Sequence, residues 1–164
     1  MLYSRCMRLA SNALLLVTCI VSVLPNTVAQ TAVSDAPDYS GMYSFLKEGE
    51  FMQITLEDKG AVSGFISRYG DSESDKGTFL DQFIKSGTSN GKQLSFTTES
   101  VHGVSYTFEG AFDRGPGKKP EEDGYYVLRG TLTRNVTAPD GKSTRAQNNQ
   151  VEFRSFPRDA EAPK

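Results

Sequence analysis

The chain is predicted to be all-β, an antiparallel up-and-down barrel or strongly curled meander of about eight strands. Three observations lead there. Apolar and polar residues alternate over most of residues 41–157, the period of a half-buried strand. The alternating runs are joined mainly by hairpin-length, glycine-bearing links. Three of the runs also carry a glycine on their apolar face: Gly64 between Val62 and Ile66, Gly110 between Phe108 and Phe112, and Gly130 between Leu128 and Leu132. A glycine inside a strand weakens it, and marks a bend or a close approach by another group. Repeated on one face, it argues for a sheet that curls on itself.

Taken in order, Tyr43 and Phe45 open the pattern, and Glu48-Gly49-Glu50 turns the chain. Met52, Ile54 and Leu56 follow on one face, then the tight link Asp58-Lys59-Gly60 and a strand over Ala61–Tyr69. Asp71–Gly77 reads as a polar loop. Thr78–Lys85 suits a helical turn or a strand by periodicity alone, and is read as strand. Ser89-Asn90-Gly91 is a hairpin signal leading to Leu94, Phe96 and Thr98. His102-Gly103 turns the chain into the longest alternation, Val104 to Phe112. Asp113–Gly124, rich in Gly, Pro and charge, reads as an exposed, mobile loop. Tyr126, Leu128, Gly130 and Leu132 continue the inner face. A connection containing Pro139-Asp140-Gly141 leads to Val151 and Phe153, which close the pattern. Barrel closure would remove exposed strand edges, whereas an open curled sheet or sandwich satisfies the same alternation.

The first 29 residues have the form of a signal peptide. Arg5 and Arg8 precede the short apolar run Ala13–Leu24, and Thr27-Val28-Ala29 supplies a small-residue cleavage site after Ala29. The run is too short to span a bilayer as a helix. The expected organisation is signal peptide 1–29, flexible lead-in 30–40, one β domain 41–157 and polar tail 158–164, with a secreted or periplasmic location. No membrane span is then expected in the mature chain. Cys6 and Cys19 would leave with the signal, and with them any disulfide, cysteine metal site or thiol nucleophile. Of 18 basic residues only Arg5 and Arg8 would leave, so 16 face 20 acidic ones, and nothing suggests nucleic acid as a partner.

The segment Gly41–Ile66, GMYSFLKEGEFMQITLEDKGAVSGFI, resembles the opening hairpins of avidin-like and related calycin barrels: Gly-x-Tyr/Trp, an alternating strand, a glycine turn and a Ser-Gly pair. That resemblance implies an antiparallel barrel with a ligand pocket at one end. Avidins line their biotin site with tryptophans and this chain has no Trp, so neither biotin binding nor any site residue is carried over.

Residues able to carry chemistry are few. His102 is the only histidine; with Glu99, Ser100 and Ser105 it suggests a hydrolase triad, but all four sit around one turn, and a histidine bonded to local backbone is the simpler reading. Asp71, Glu73 and Asp75 alternate as in calcium loops, yet Lys76 and Gln82 stand where an EF-hand needs Gly and a carboxylate. No metal or cofactor is expected. Glu121, Glu122 and Asp123 face Lys118 and Lys119 within one loop and read as charge balance. The inner wall remains: Tyr43, Phe45, Met52, Ile54, Leu56, Val62, Ile66, Leu94, Phe96, Tyr106, Phe108, Phe112, Tyr126, Leu128, Leu132, Val151 and Phe153, none of them charged. Small barrels are either filled by such residues or hold one small ligand. In the second case Tyr43, Tyr106 and Tyr126 are the candidate ligand-binding residues, since a buried phenol needs a hydrogen-bond partner. The function expected is that of an exported, non-enzymatic binding module for a small apolar or aromatic ligand in the barrel or, through its loops, a protein partner. A structural or inhibitory surface module without a pocket is the alternative, and a hydrolase using His102 a further one.

Overall fold

A computed structural model describes residues 37–158; the expected signal peptide, most of the lead-in and the end of the tail lie outside the described residues. Eight strands follow one another in a single antiparallel sheet, each bonded to the next. They are β1 (Gly41–Ser44), β2 (Phe51–Leu56), β3 (Val62–Tyr69), β4 (Phe79–Asn90), β5 (Gln93–Thr98), β6 (Val104–Arg114), β7 (Tyr126–Thr137) and β8 (Thr144–Arg154). The ambiguous 78–85 segment is strand, as expected. A single 3-10 turn, Asp58–Gly60, links β2 to β3.

The hairpins form where glycine, or a residue able to adopt positive φ, allows a tight reversal. Lys59 and Gly60 lie at φ 64° and 81°, Gly91 at 59°, and His102 and Gly103 at 51° and 75°. Between them the alternation holds. Every residue of the expected inner wall is buried in one apolar cluster or packed against it. The glycines let the sheet bend hard. Gly110 and Gly130 face each other in register across β6 and β7. A Cβ on Gly130 would lie 2.5 Å from the Gly110 Cα, and one on Gly110 would lie 2.5 Å from Phe108 Cζ. Gly64, at φ 139°, presses so closely on the Gln53 carbonyl that no side chain could stand there.

Whether the sheet closes has a divided answer. At one end β1 meets β8 through a Tyr43–Ser155 bridge, a Phe156 N–H bond to the Met42 carbonyl at 2.9 Å, and an Arg154 N–H bond to Ser44 Oγ at 2.9 Å. β1 is only four residues long, so from Thr144 to Gln150 the outer edge of β8 has no strand beside it among the described residues. The barrel is sealed at the end carrying the β6–β7 loop and open along its seam at the other.

The sealed end has a plug. Tyr39, in the segment expected as lead-in, is buried; its ring stacks on Phe112 at 4.6 Å and meets Tyr126 edge-on at 4.8 Å. Its carbonyl accepts the Tyr43 hydroxyl at 2.7 Å. The 113–124 connection is largely exposed, as expected, and is tied by its own contacts. Gly115 and Gly117 bond back to Tyr125 and Gly124, and the Arg114 guanidinium lies 3.4 Å from the Tyr125 ring centre. On the outer face of β2–β4, expected to be mostly polar, Phe51, Phe65 and Phe83 form an aromatic row with centroid spacings of 6.0 and 5.9 Å.

Candidate functional site

The open end of the barrel is framed by the β1–β2, β3–β4, β5–β6 and β7–β8 connections. Here the inner face stops being apolar. Two residues beyond buried Ile66, the same parity carries Arg68 inward, almost wholly buried at 2 % exposure. Between Leu80 and Ile84 it carries Gln82 inward, with no exposure at all. Two residues beyond Leu132 it carries Arg134, half-buried at the rim. The expectation of an inner wall without charge is corrected at this end.

A buried guanidinium is stable only with its hydrogen bonds met. Arg68 Nε donates to Gln82 Oε1 at 2.6 Å, and Nη1 donates to the Tyr69 carbonyl at 3.0 Å and to Asp71 Oδ2 at 2.9 Å. Gln82 in turn donates to the Val104 carbonyl at 2.7 Å and the Glu99 carbonyl at 3.2 Å, tying β4 to the β5–β6 turn. Asp71 Oδ2 also accepts from Arg134 Nη2 at 2.8 Å, so one carboxylate bridges two arginines from β3 and β7. Burial raises the Asp71 pKa, but the Arg134 hydrogen bond and the charges of Arg68, Arg134 and Lys47 outweigh it and hold the carboxyl below its usual range. On the other wall Glu50, also buried, accepts the Tyr69 and Lys47 backbone N–H groups at 3.1 Å each.

These groups line a cavity of about 380 Å³, bounded by Leu46, Lys47, Glu50, Arg68, Tyr69, Asp71, Tyr106, Arg134 and Gln147. The formal charges of its wall are three positive and two negative. Among the described residues Arg68 Nη2 has no acceptor, and since no buried side-chain atom lacks a partner, this donor is open to solvent and to a further acceptor. The cavity is the size of a small-molecule site.

The three tyrosines named from sequence are divided by the fold. Tyr106 lies in the cavity wall, its ring 5.8 Å from the Arg68 guanidinium carbon. Burial raises its pKa, against the opposing effect of the two arginines. Tyr43 and Tyr126 belong to the sealed end, where they pack around the Tyr39 plug. They do not converge with Tyr106.

His102 also departs from its expected surroundings. Its ring leaves the local backbone and pairs through Nδ1 with Asp75 Oδ2 at 2.7 Å, joining the β5–β6 turn to the β3–β4 loop. Asp75 also accepts from Ser72 and Ser74, and these bonds, with that to His102, hold its carboxyl below the usual range. Both serine hydroxyls point to Asp75, so the pair has its carboxylate and imidazole but no serine bonded to the ring. The acidic loop Asp71–Gly77 is therefore not simply solvated, since Asp71 and Asp75 are its two internal clasps. Among the described residues no cluster of three or more His, Cys, Asp or Glu side chains has metal-binding geometry.

The sequence reading missed Arg68, Gln82, Arg134 and Glu50. For the first three the signal was present, because each continues the inward parity of its strand. Glu50, one residue before β2, shares the parity of Met52 and Ile54, so the same signal reached into the turn.

The resulting arrangement is a sequential eight-stranded barrel with its ligand-sized cavity at the loop end. Solved structures with a similar fold include rhizavidin in complex with biotin (TM-score 0.53, 13% identity, 71% of this chain and 99% of that one). Intact apo afifavidin gives a TM-score of 0.54 at 16% identity, over 78% of this chain and 89% of that one. Apo shwanavidin gives 0.50 at 13% identity, over 74% and 98%. The fold is avidin-like. No family model matches the chain, and no curated protein does. At these identities the avidin-like likeness concerns the backbone alone, and it agrees with the resemblance read in Gly41–Ile66.

Proposed function

We propose that this avidin-like chain is an exported, non-catalytic binding module that takes a small anionic molecule in the mouth of its barrel. The observation that carries the reading is the buried Arg68 with Nη2 left for an acceptor, facing a cavity of about 380 Å³ beside Arg134 and Tyr106. Asp71 and Glu50 offset two of the three cations in the wall, which leaves a net formal charge of +1 and an Nη2 donor able to give an anion a charge-assisted hydrogen bond. The ligand expected from sequence was apolar. The inward apolar residues form one contiguous cluster, and the cavity above it is walled by charge, so a polar end group suits it better. Leu46 and the Tyr106 ring give a short aliphatic or aromatic body something to rest on. Two solved structures of similar fold, those of rhizavidin and of short afifavidin, are complexes with biotin.

Hexanoate, hexanamide and biotin, titrated calorimetrically, test the reading. Hexanoate is expected to bind at least tenfold more tightly than hexanamide, and Arg134→Gln to remove that difference. A Gln147→Trp change, which places a large side chain at the cavity rim, is expected to block all three. Equal affinity for acid and amide, or binding indifferent to Gln147→Trp, would sink the proposal. Esterase activity abolished by His102→Ala would instead favour catalysis by the His102–Asp75 pair.

A further inference from the structure

The open seam leaves a feature that the ligand reading does not use, the bare outer edge of β8. The Ser155 N–H bonds to the Tyr126 carbonyl of β7, whereas the Arg154 N–H turns the other way, to Ser44 Oγ. Backbone groups alternate sides along a strand. Odd residues of β8 therefore bond to β7, and Ala146, Asn148 and Gln150 turn their N–H and C=O groups to the unpaired edge. Side chains from Thr144 to Gln150 are exposed on both faces of the sheet, so none of the described residues covers the edge from above or below. The usual guards are absent as well: the stretch has neither Pro nor Lys, and Arg145 is its only charge.

We propose that this edge pairs antiparallel with the same edge of a second copy, about a two-fold axis at Asn148. Asn148 is the middle of the three edge-facing residues just named, so this register pairs all three with their counterparts. Edge-facing Ala146 and Gln150 of one copy then oppose Gln150 and Ala146 of the other, and Asn148 opposes itself, giving about six backbone hydrogen bonds. The side chains agree with the pairing. Gln147 stands opposite Asn149, and amides both donate and accept, so an Asn/Gln strand complements itself. Arg145 stands opposite Val151, and no two like charges meet. A polar edge of this kind suits its own copy better than an apolar peptide. The pairing joins two barrels into one continuous sheet and is independent of any ligand in the mouth.

Sedimentation of the purified protein over a wide concentration range tests the idea. A reversible dimer is expected. Asn148→Pro removes an edge N–H without touching the β7 ladder, and Asn148→Lys sets two ammonium groups together on the axis; each is expected to weaken dimerisation at least tenfold. Circular dichroism confirms that each variant is folded. With Cys6 and Cys19 replaced by Ser, Asn148→Cys is expected to give a disulfide-linked dimer on mild oxidation, because residues opposed in a bonded pair have Cα atoms within disulfide reach. Asp140→Cys, in the β7–β8 turn, is the control that does not cross-link. A monomer at all concentrations overturns the proposal. So does a dimer that survives Asn148→Pro and is lost with Phe83→Ser, which would place the contact on the outer aromatic row.

Discussion

Replacing Gln82 by Leu tests how the polar end of the barrel is held. The side chain is fully buried and near leucine in volume, so the change removes hydrogen bonds with little change of packing. Three bonds are lost, with unequal consequences. The Val104 carbonyl keeps the Val101 N–H at 2.9 Å, and the Glu99 carbonyl keeps the Thr98 hydroxyl at 3.0 Å. Each therefore loses one bond without being orphaned, a cost of about 0.5–1 kcal/mol. Arg68 Nε has no second acceptor. A buried charged donor left unmet costs roughly 2–3 kcal/mol, and the added apolar surface of leucine returns about 1 kcal/mol. The expected net loss is about 2–4 kcal/mol, equivalent to roughly 8–16 °C in Tm for a domain of this size. Urea denaturation followed by tyrosine fluorescence measures it, with Gln93→Leu at the exposed start of β5 as the control. A loss below about 1 kcal/mol would show that Arg68 finds another acceptor, and that the Gln82 clasp is dispensable.

Acid should loosen the same end. Because the folded Asp71 carboxyl titrates below its unfolded value, its contribution is present above the unfolded pKa and is lost as pH falls through the folded one. Stability is therefore expected to decline below about pH 4, the ordinary range of an aspartate. Asp71→Asn is expected to flatten that decline, as read from urea midpoints between pH 2 and 7; an unchanged pH profile would show that the bridge carries no linkage. At the β6–β7 crossing, Gly130→Ala places a methyl group against the Gly110 backbone and is expected to cost roughly 3 kcal/mol or prevent folding. A Gly130→Ala protein of wild-type stability would show that the bend does not depend on that contact.

The alternation of Met52, Ile54, Val62, Leu94, Phe108 and Leu128 was enough to place eight strands, because a period of two is a property of the chain itself and burial of one face follows from it. Turn residues such as Gly60, Gly91 and Gly103 added the order of pairing, since a short link forces neighbouring strands to lie antiparallel. The inner-face glycines signalled the curl. What the sequence could not supply was which inward positions lie below the rim and which at it. Arg68 and Leu128 share one rule of parity, yet one sits in a polar cluster and the other in the apolar core.

That difference is set by contacts between residues far apart in sequence. Asp71 meets Arg134 across 63 positions, Asp75 meets His102 across 27, and Tyr39 finds Phe112 at the sealed end. No local periodicity encodes such meetings, because they depend on strand lengths and the direction of curl. The length of β1 decides the rest. Four residues close one half of the seam and leave the other half of β8 bare, so the same strand both seals the barrel and presents an edge. The fold was written in the chain's alternation; the mouth, the clasps and the open edge exist only once the sheet has curled.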